Sequence, residues 1–460
     1  MSEVIAYRKR RGVEAFMLLL AVALGSGGYL LTHLNIDAKL PDQWPWAVGT
    51  IAALALVAHI VVRWRIPYAD PLILPIVVAL NGIGLAMIHR LDLGAKPVTF
   101  SADLQLRWTA IGVACFAIVV FVLRDYRILH RFTYLLFLAG MVILMLPLVP
   151  GLGIEHSGAQ IWIHIGSYSF QPAELAKIVL AIAFASYLVD KQDVLALAGG
   201  RFLGFDLPRP RDLGPILIMW LASMAVLVFQ KDLGTSLLFF GLFVVMLYVS
   251  TQRASWPILG VLLFSVGAYA SYLMFGHVRV RVSSWLDPFS NYDQNYQVIQ
   301  GQFGMAFGGL FGTGWGLGRP NLIPVAKSDF ISAAVGEELG TVGLIAIVLL
   351  YGLLVARGMR AALGSRDPFG KLLAAGLSFG LAIQVFAIIG GVTRLLPLTG
   401  LTTPFMSQGG SSLVANWVMI ALLLVITHES RRPVADVATP VVASLATDAT
   451  QVISTPAVAT

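Results

Sequence analysis

What most limits the folds open to this chain is a set of twelve mostly apolar runs, each near the length a helix needs to cross a bilayer. They lie near 15–33, 45–62, 71–89, 107–123, 134–150, 172–189, 213–229, 234–250, 257–275, 333–356, 372–392 and 411–427. A crossing takes about 20 such residues. Charged residues make up only 12% of the chain and the mean hydropathy is +0.82. A globular domain carries about 25% charged residues, so a soluble fold is excluded. The pattern predicts an all-α polytopic membrane protein of about twelve transmembrane helices, with a large external loop, 276–332, before the tenth.

The basic residues test that count. They cluster at Arg8 to Arg11, Arg63/Arg65, Arg124/Arg127/Arg131, Lys191 to Arg211, Arg253, Arg357 to Lys371 and Arg431/Arg432. With twelve spans every cluster falls on one side, which the positive-inside rule makes cytoplasmic, together with both termini. An error of one span would scatter them. The net charge of +7 therefore serves orientation, and no nucleic-acid partner is expected. The first span lacks a small-residue cleavage site and is followed by further spans, so it is not a removable signal peptide. The expected organisation is a basic cytoplasmic N-terminus (1–14), a transmembrane domain (15–430) and a disordered cytoplasmic tail (431–460) rich in Ala, Thr, Val and Pro. Thr439 and Thr455, each before a proline, are candidate kinase sites in an otherwise passive tail. The lone Cys115 sits in an apolar run, reads as helix packing, and leaves no disulfide or thiolate metal site.

This topology places 151–171, 230–233, 276–332 and 393–410 outside, and all four are unusual. The stretch from Arg279 to Gly340 combines aromatics, glycines and ionisable groups over a length at which loops are usually functional. In GAQIWIHIGSYSFQPAELAKI (158–178), Pro172 suits a first helical position. Glu174 and Lys177 then share a helix face, facing a polar cavity or merely anchoring the helix at the interface. Asp232 in QKDLGTS reads first as a helix N-cap and second as a substrate contact. The adjacent Glu337 and Glu338 need a partner such as Arg394 or Lys327, or one must be protonated. TGLTTPFMSQGGSSLVANW (399–417) reads as a re-entrant loop, tolerated at membrane depth only if buried against protein or lining a wet cavity.

WIHIGSYSFQPAELAKI, QKDLGTS, KSDFISAAVGEELG and TGLTTPFMSQGGSS, in that order, resemble the shape, elongation, division and sporulation (SEDS) family, the RodA/FtsW-type membrane proteins. The resemblance runs from about residue 150 to 427. Two additional N-terminal spans look like the actinobacterial form, and MSQGGSSLVANW is more similar to the elongation-type RodA branch than to the divisional FtsW branch. The resemblance implies a peptidoglycan glycosyltransferase that polymerises lipid II outside the membrane beside a class B penicillin-binding protein. In the implied inverting transfer a base takes the proton of an acceptor sugar hydroxyl, and cations receive the departing undecaprenyl diphosphate. The alternatives are a lipid II flippase, for which neither an inverted repeat nor charge spread through the membrane depth is visible, a non-catalytic scaffold, and the FtsW-like paralogue with the same chemistry.

The family's catalytic aspartate falls in WLDPFSNYDQNYQVIQ. Counting from Asp287-Pro288 reaches Asn291, so Asp293 is taken as its shifted equivalent, with Asp287 as the alternative; an Asp there is otherwise a turn-former. Arg279, Arg281 and Lys327 are the candidates to hold diphosphate. Lys327 stands where the family carries histidine, and Ile161 where arginine is common. Gln171, Trp162, Glu174, Lys177, Ser411 and Ser412 complete the substrate-binding candidates, with Asp232, Asp329, Glu337 and Glu338 as further polar groups. No protein metal site is expected, although a divalent Mg or Mn ion is compatible with diphosphate chemistry. The expected location is the bacterial cytoplasmic membrane.

Overall fold

Each apolar run folds as a helix, because a buried or lipid-facing backbone must close its own hydrogen bonds. The computed structural model describes residues 9–433 except 96, 157–158, 167, 193–199, 203–204 and 208–209. The N-terminal helices are α1 (Arg11–Asp37), α2 (Trp44–Arg65), α3 (Ile73–Leu93), α4 (Ser101–Val122) and α5 (Thr133–Met145), the last entered through a 3-10 turn, Tyr126–Phe132. Then come α6 (Pro172–Asp190), α7 (Pro210–Phe229), α8 (Leu233–Thr251) and α9 (Ser255–Met274). After α10 (Gly276–Leu286) and α11 (Tyr292–Gly308) come α12 (Ile331–Gly364), α13 (Pro368–Val392) and α14 (Gly410–Arg431). Among the described residues eleven segments are long and apolar enough to span a bilayer, and the apolar part of α7, Leu217–Phe229, occupies the position of the remaining expected span. The chain is an all-α polytopic membrane protein. Residues 1–8 and 434–460, including Thr439 and Thr455, lie outside the described residues.

The segment expected as a long loop departs from that expectation: 276–332 contains α10, α11 and 3-10 turns at Pro288–Ser290 and Pro320–Leu322. Asp287 and Asn291 supply the starts, accepting from Phe289 N and Gln294 N respectively. Such side-chain caps satisfy the free N–H groups of a first turn. Minor sheet structure flanks the bundle: β1 (Gly153–His156), β2 (Ala159–Ile165) and β3 (Tyr168–Phe170) form an antiparallel meander, while β4 (Gly200–Phe202) pairs with β5 (Phe205–Leu207).

The centre is built from α3, α6 and α14, whose faces are mostly buried, whereas α9 is almost wholly exposed. α1 lies against α3 at a glycine crossing, where a Cβ on Gly25 would stand 2.7 Å from Gly82 Cα. The absent side chains let the two backbones approach, a packing mode typical of membrane helices.

Two breaks in helical regularity position the polar groups. α12 is interrupted at Gly340 (φ 69°, ψ −174°). Thr341 N and Val342 N, deprived of Glu337 and Glu338 carbonyls, donate to Gly309 O (3.0 Å) and Leu310 O (3.1 Å). Those carbonyls accept from Thr313 N (3.0 Å) and Gly314 N (2.9 Å). Four bonds across the junction thus replace those lost at the kink, so the break leaves these groups satisfied. The second irregular stretch lies between α13 and α14. Its carbonyls are met by side chains: Asn81 Nδ2 to Phe405 O (3.0 Å), Gln105 Nε2 to Ser407 O (2.9 Å), Gln384 Nε2 to Thr402 O (3.0 Å) and Tyr351 Oη to Pro404 O. Phe405 and Met406 are buried. This is the protein-buried re-entrant backbone that the sequence predicts.

Candidate functional site

The unusual segments meet at one end of the bundle. Gln171, immediately before α6, donates from Nε2 to Asp232 Oδ2 (3.4 Å). Asp232 caps α8 by accepting from Thr235 N (3.0 Å) and Thr235 Oγ1 (2.6 Å). The cap expected of it is therefore present. One turn into α6, Lys177 Nζ bonds both Glu174 Oε2 (2.6 Å) and Gln384 Oε1 (3.0 Å). Glu174 is buried, so the pair faces protein polar groups and is more than an interfacial anchor.

Arg281 on α10 turns inward and donates from Nη1 to Thr399 O (3.0 Å). Gly400 (φ +72°) leaves a notch beside it: a Cβ there would lie 3.2 Å from Arg281 Nη2 and 3.9 Å from Asp329 Oδ2. A cation and a carboxylate thus flank one glycine. Burial pushes the Asp329 and Asp232 carboxyls above their usual range and the Arg281 guanidinium below its own. Attraction to Arg281 opposes the shift at both acids. Trp285 and Arg394 tie the same elements together, Trp285 Nε1 donating to Arg394 O (3.0 Å) and Arg394 Nη2 to Trp285 O (2.9 Å).

Asp293, in the first turn of α11, is exposed and makes no ion pair among the described residues. Asp287 is also exposed, but its Oδ1 accepts from Phe289 N (3.2 Å). Arg279 is exposed on α10, and Trp162 lies half-buried on β2. Lys327 is held by Asp92 Oδ1 (2.5 Å), Thr99 Oγ1 (2.5 Å) and Ser101 Oγ (3.1 Å). Ser411 and Ser412 are buried at the head of α14, where Ser412 Oγ accepts from Thr402 Oγ1 (3.1 Å).

The two adjacent glutamates correct an expectation. Their charge partner is Arg90, which lies on α3, and neither Arg394 nor Lys327 fills that role: Arg90 Nε meets Glu338 Oε1 at 2.8 Å and Arg90 Nη2 donates to Gly318 O at 2.8 Å. Glu338 Oε2 accepts from Gly316 N (2.9 Å), and Glu337 Oε1 from Arg319 N. The carboxylates therefore gather the 313–319 backbone onto the broken helix. Sequence reasoning passed over Arg90, Asp92, Asn81, Gln105 and Gln384. Their signal was being polar or ionisable inside apolar runs, where such groups usually face the bundle interior.

Fold and site together define a polytopic helical membrane protein whose unusual polar segments meet at one bundle end. Residues 71–432 match the FtsW/RodA/SpoVE model, described as a cell cycle protein, and the chain belongs to this family. It is 50% identical over 432 residues to peptidoglycan glycosyltransferase RodA of Mycobacterium tuberculosis, covering 92% of each chain. It is 33% identical over 372 residues to stage V sporulation protein E of Bacillus subtilis, covering 79% of this chain and 98% of that one. Among solved structures, a chain from a study of structural coordination of polymerization and crosslinking by a peptidoglycan synthase complex aligns with a TM-score of 0.64 at 26% identity. That alignment covers 79% of this chain and 99% of the other.

Proposed function

We propose that this protein is a peptidoglycan glycosyltransferase that polymerises lipid II during cell-wall elongation. The observation that carries the reading is the 50% identity to a peptidoglycan glycosyltransferase over 92% of the chain. The geometry supports it: polar contacts join the head of α6 to that of α8 (Gln171 to Asp232) and α10 to the re-entrant segment (Arg281 to Thr399). The acceptor 4-hydroxyl attacks the donor anomeric carbon, the bond to the diphosphate oxygen breaks, and undecaprenyl diphosphate leaves with that electron pair. Asp293 takes the hydroxyl proton. It is preferred to Asp287 because its oxygens accept no hydrogen bond among the described residues, whereas Asp287 is occupied as a cap. Arg281 and the exposed Arg279 are assigned to the developing diphosphate charge; Lys327, already held by Asp92, serves mainly to fasten the loop to α3.

The site is assigned to the outer face of the bacterial cytoplasmic membrane, with both termini inside. Its support is the grouping of the arginine clusters at the opposite end, where Arg357 and Arg431 share Asp70 and Arg127 approaches Asp367. Cysteines placed at Ser290 and Ser430 are expected to label from opposite sides; labelling from one side would invert part of the topology. A class B penicillin-binding protein is the proposed partner. An apolar groove of ≈280 Å³ between α12 and α13, lined by Val348, Gly352, Phe386 and Gly390 among others, supplies a seat for its membrane helix. Polymerisation of lipid II by purified wild type and Asp293→Asn, with and without that partner, tests the assignment. Undiminished activity in the variant would remove Asp293 from the mechanism.

A further inference from the structure

At the end of the bundle opposite the candidate site lies a cavity of ≈510 Å³, walled by Tyr68, Tyr126, Arg127, Arg366, Glu429 and Arg432 among others. Its size is that of a small-ligand pocket. Three guanidiniums and a single carboxylate line it, and the ion pairs the guanidiniums make are long. Arg432 reaches Glu429 only at 3.7 Å, and Arg127 reaches Asp367 only at 3.9 Å. Arg366 is exposed and makes no ion pair among the described residues. Lys9 adds a fourth cation at the rim, its ammonium 5.3 Å from the Tyr68 ring centroid. Arg127 lies over Tyr126, 5.9 Å from that ring centroid.

Orientation of the protein requires only positive charge on a surface. It does not require three guanidiniums around a concavity with phenol walls, where they outnumber their carboxylate partners, Glu429 and Asp367. We infer that this cavity binds the phosphodiester headgroup of an anionic phospholipid. Guanidinium forks match phosphate oxygens two at a time. Basic pockets between membrane helices are suited to such headgroups. A lipid is favoured over free phosphate by the apolar residues beside the arginines. Ile128 and Phe132, in the 3-10 turn that carries Arg127, are exposed, as is Leu363 close before Arg366. They put exposed apolar surface on the same segments as Arg127 and Arg366, against which acyl chains can lie.

The test uses the full chain, purified in detergent, with native mass spectrometry of added cardiolipin, phosphatidylglycerol and phosphatidylcholine. Wild type is expected to retain one anionic lipid in preference to phosphatidylcholine. Arg127→Gln with Arg366→Gln should weaken retention by about fivefold per arginine removed, while Arg360→Gln, an exposed cation outside the cavity, should leave it unchanged. Arg366→Gln alone provides the reading if the double variant is poorly folded, since Arg366 is exposed and makes no ion pair among the described residues. Equal retention by wild type and Arg366→Gln, or equal binding of phosphatidylcholine, would overturn the site. Saturation by inorganic phosphate without lipid preference would overturn the lipid as its occupant.

Discussion

The two ends of this bundle carry charge for different purposes. At the candidate-site end, three carboxylates are wholly or partly buried and satisfied largely by backbone: Glu338 by Gly316 N and Arg90, Glu337 by Arg319 N, Asp232 by Thr235 N. At the other end arginines dominate, and Asp70 draws together Arg357 and Arg431 from two different helices. One end uses charge to hold an irregular backbone in shape; the other uses it to fasten helix ends and, in one cavity, gathers more cations than carboxylates. The comparison teaches that charge count says little about chemistry. What matters is which acids and bases are already occupied by the fold.

The sharpest way to break that contrast is at the one acid of α11 left unoccupied. Asp293→Asn keeps the shape and removes basicity. Lipid II polymerisation is expected to fall by roughly 10²–10⁴-fold, the usual contribution of a positioned base, with unchanged folding and membrane insertion.

The next largest effect belongs to a fully occupied group. Arg90→Ala leaves Glu338 buried without its cation, which typically costs about 3–5 kcal/mol. Thermal unfolding in detergent should show a large loss, and any loss of activity should follow loss of the fold. An Arg90→Ala protein with wild-type stability would mean that the backbone donors alone suffice for both glutamates.

Smaller is Gly340→Ala. Its φ of 69° disfavours a side chain, and a Cβ would stand 2.3 Å from Gly312 N. A non-glycine residue held in such a region costs about 1–3 kcal/mol. The thermal midpoint should drop, with the 309–314 segment more open to hydrogen exchange than the rest. Asp287→Asn is expected to have the least effect. An asparagine caps a turn nearly as well as an aspartate, so polymerisation should stay within a few-fold of wild type. A larger loss from Asp287→Asn than from Asp293→Asn would exchange the two roles.

Much of the architecture was legible in advance. All twelve expected spans correspond to helices, because hydropathy acts over a length set by the bilayer and needs no knowledge of neighbours. Caps were legible too: Asp232 does what an Asp before an apolar run normally does. The helices of 276–332 were missed, since α10 and α11 mix polar and apolar residues and their packing faces appear only against the bundle. The partner of the glutamates was misjudged for a related reason. Arg90 lies 248 residues from Glu338, and nothing local distinguishes it from a helix-end anchor.

The sequence by itself therefore determined the membrane class, the positions of the apolar helices along the chain, and the family to which the motifs point. Those depend on composition and order along the chain. Only the tertiary structure decided that Arg90 serves Glu338, that Lys327 is taken by Asp92, and that Gly400 opens a notch between Arg281 and Asp329. Such pairings depend on distances between helices far apart in sequence, and electrostatic and hydrogen-bond energies fall off within a few ångströms.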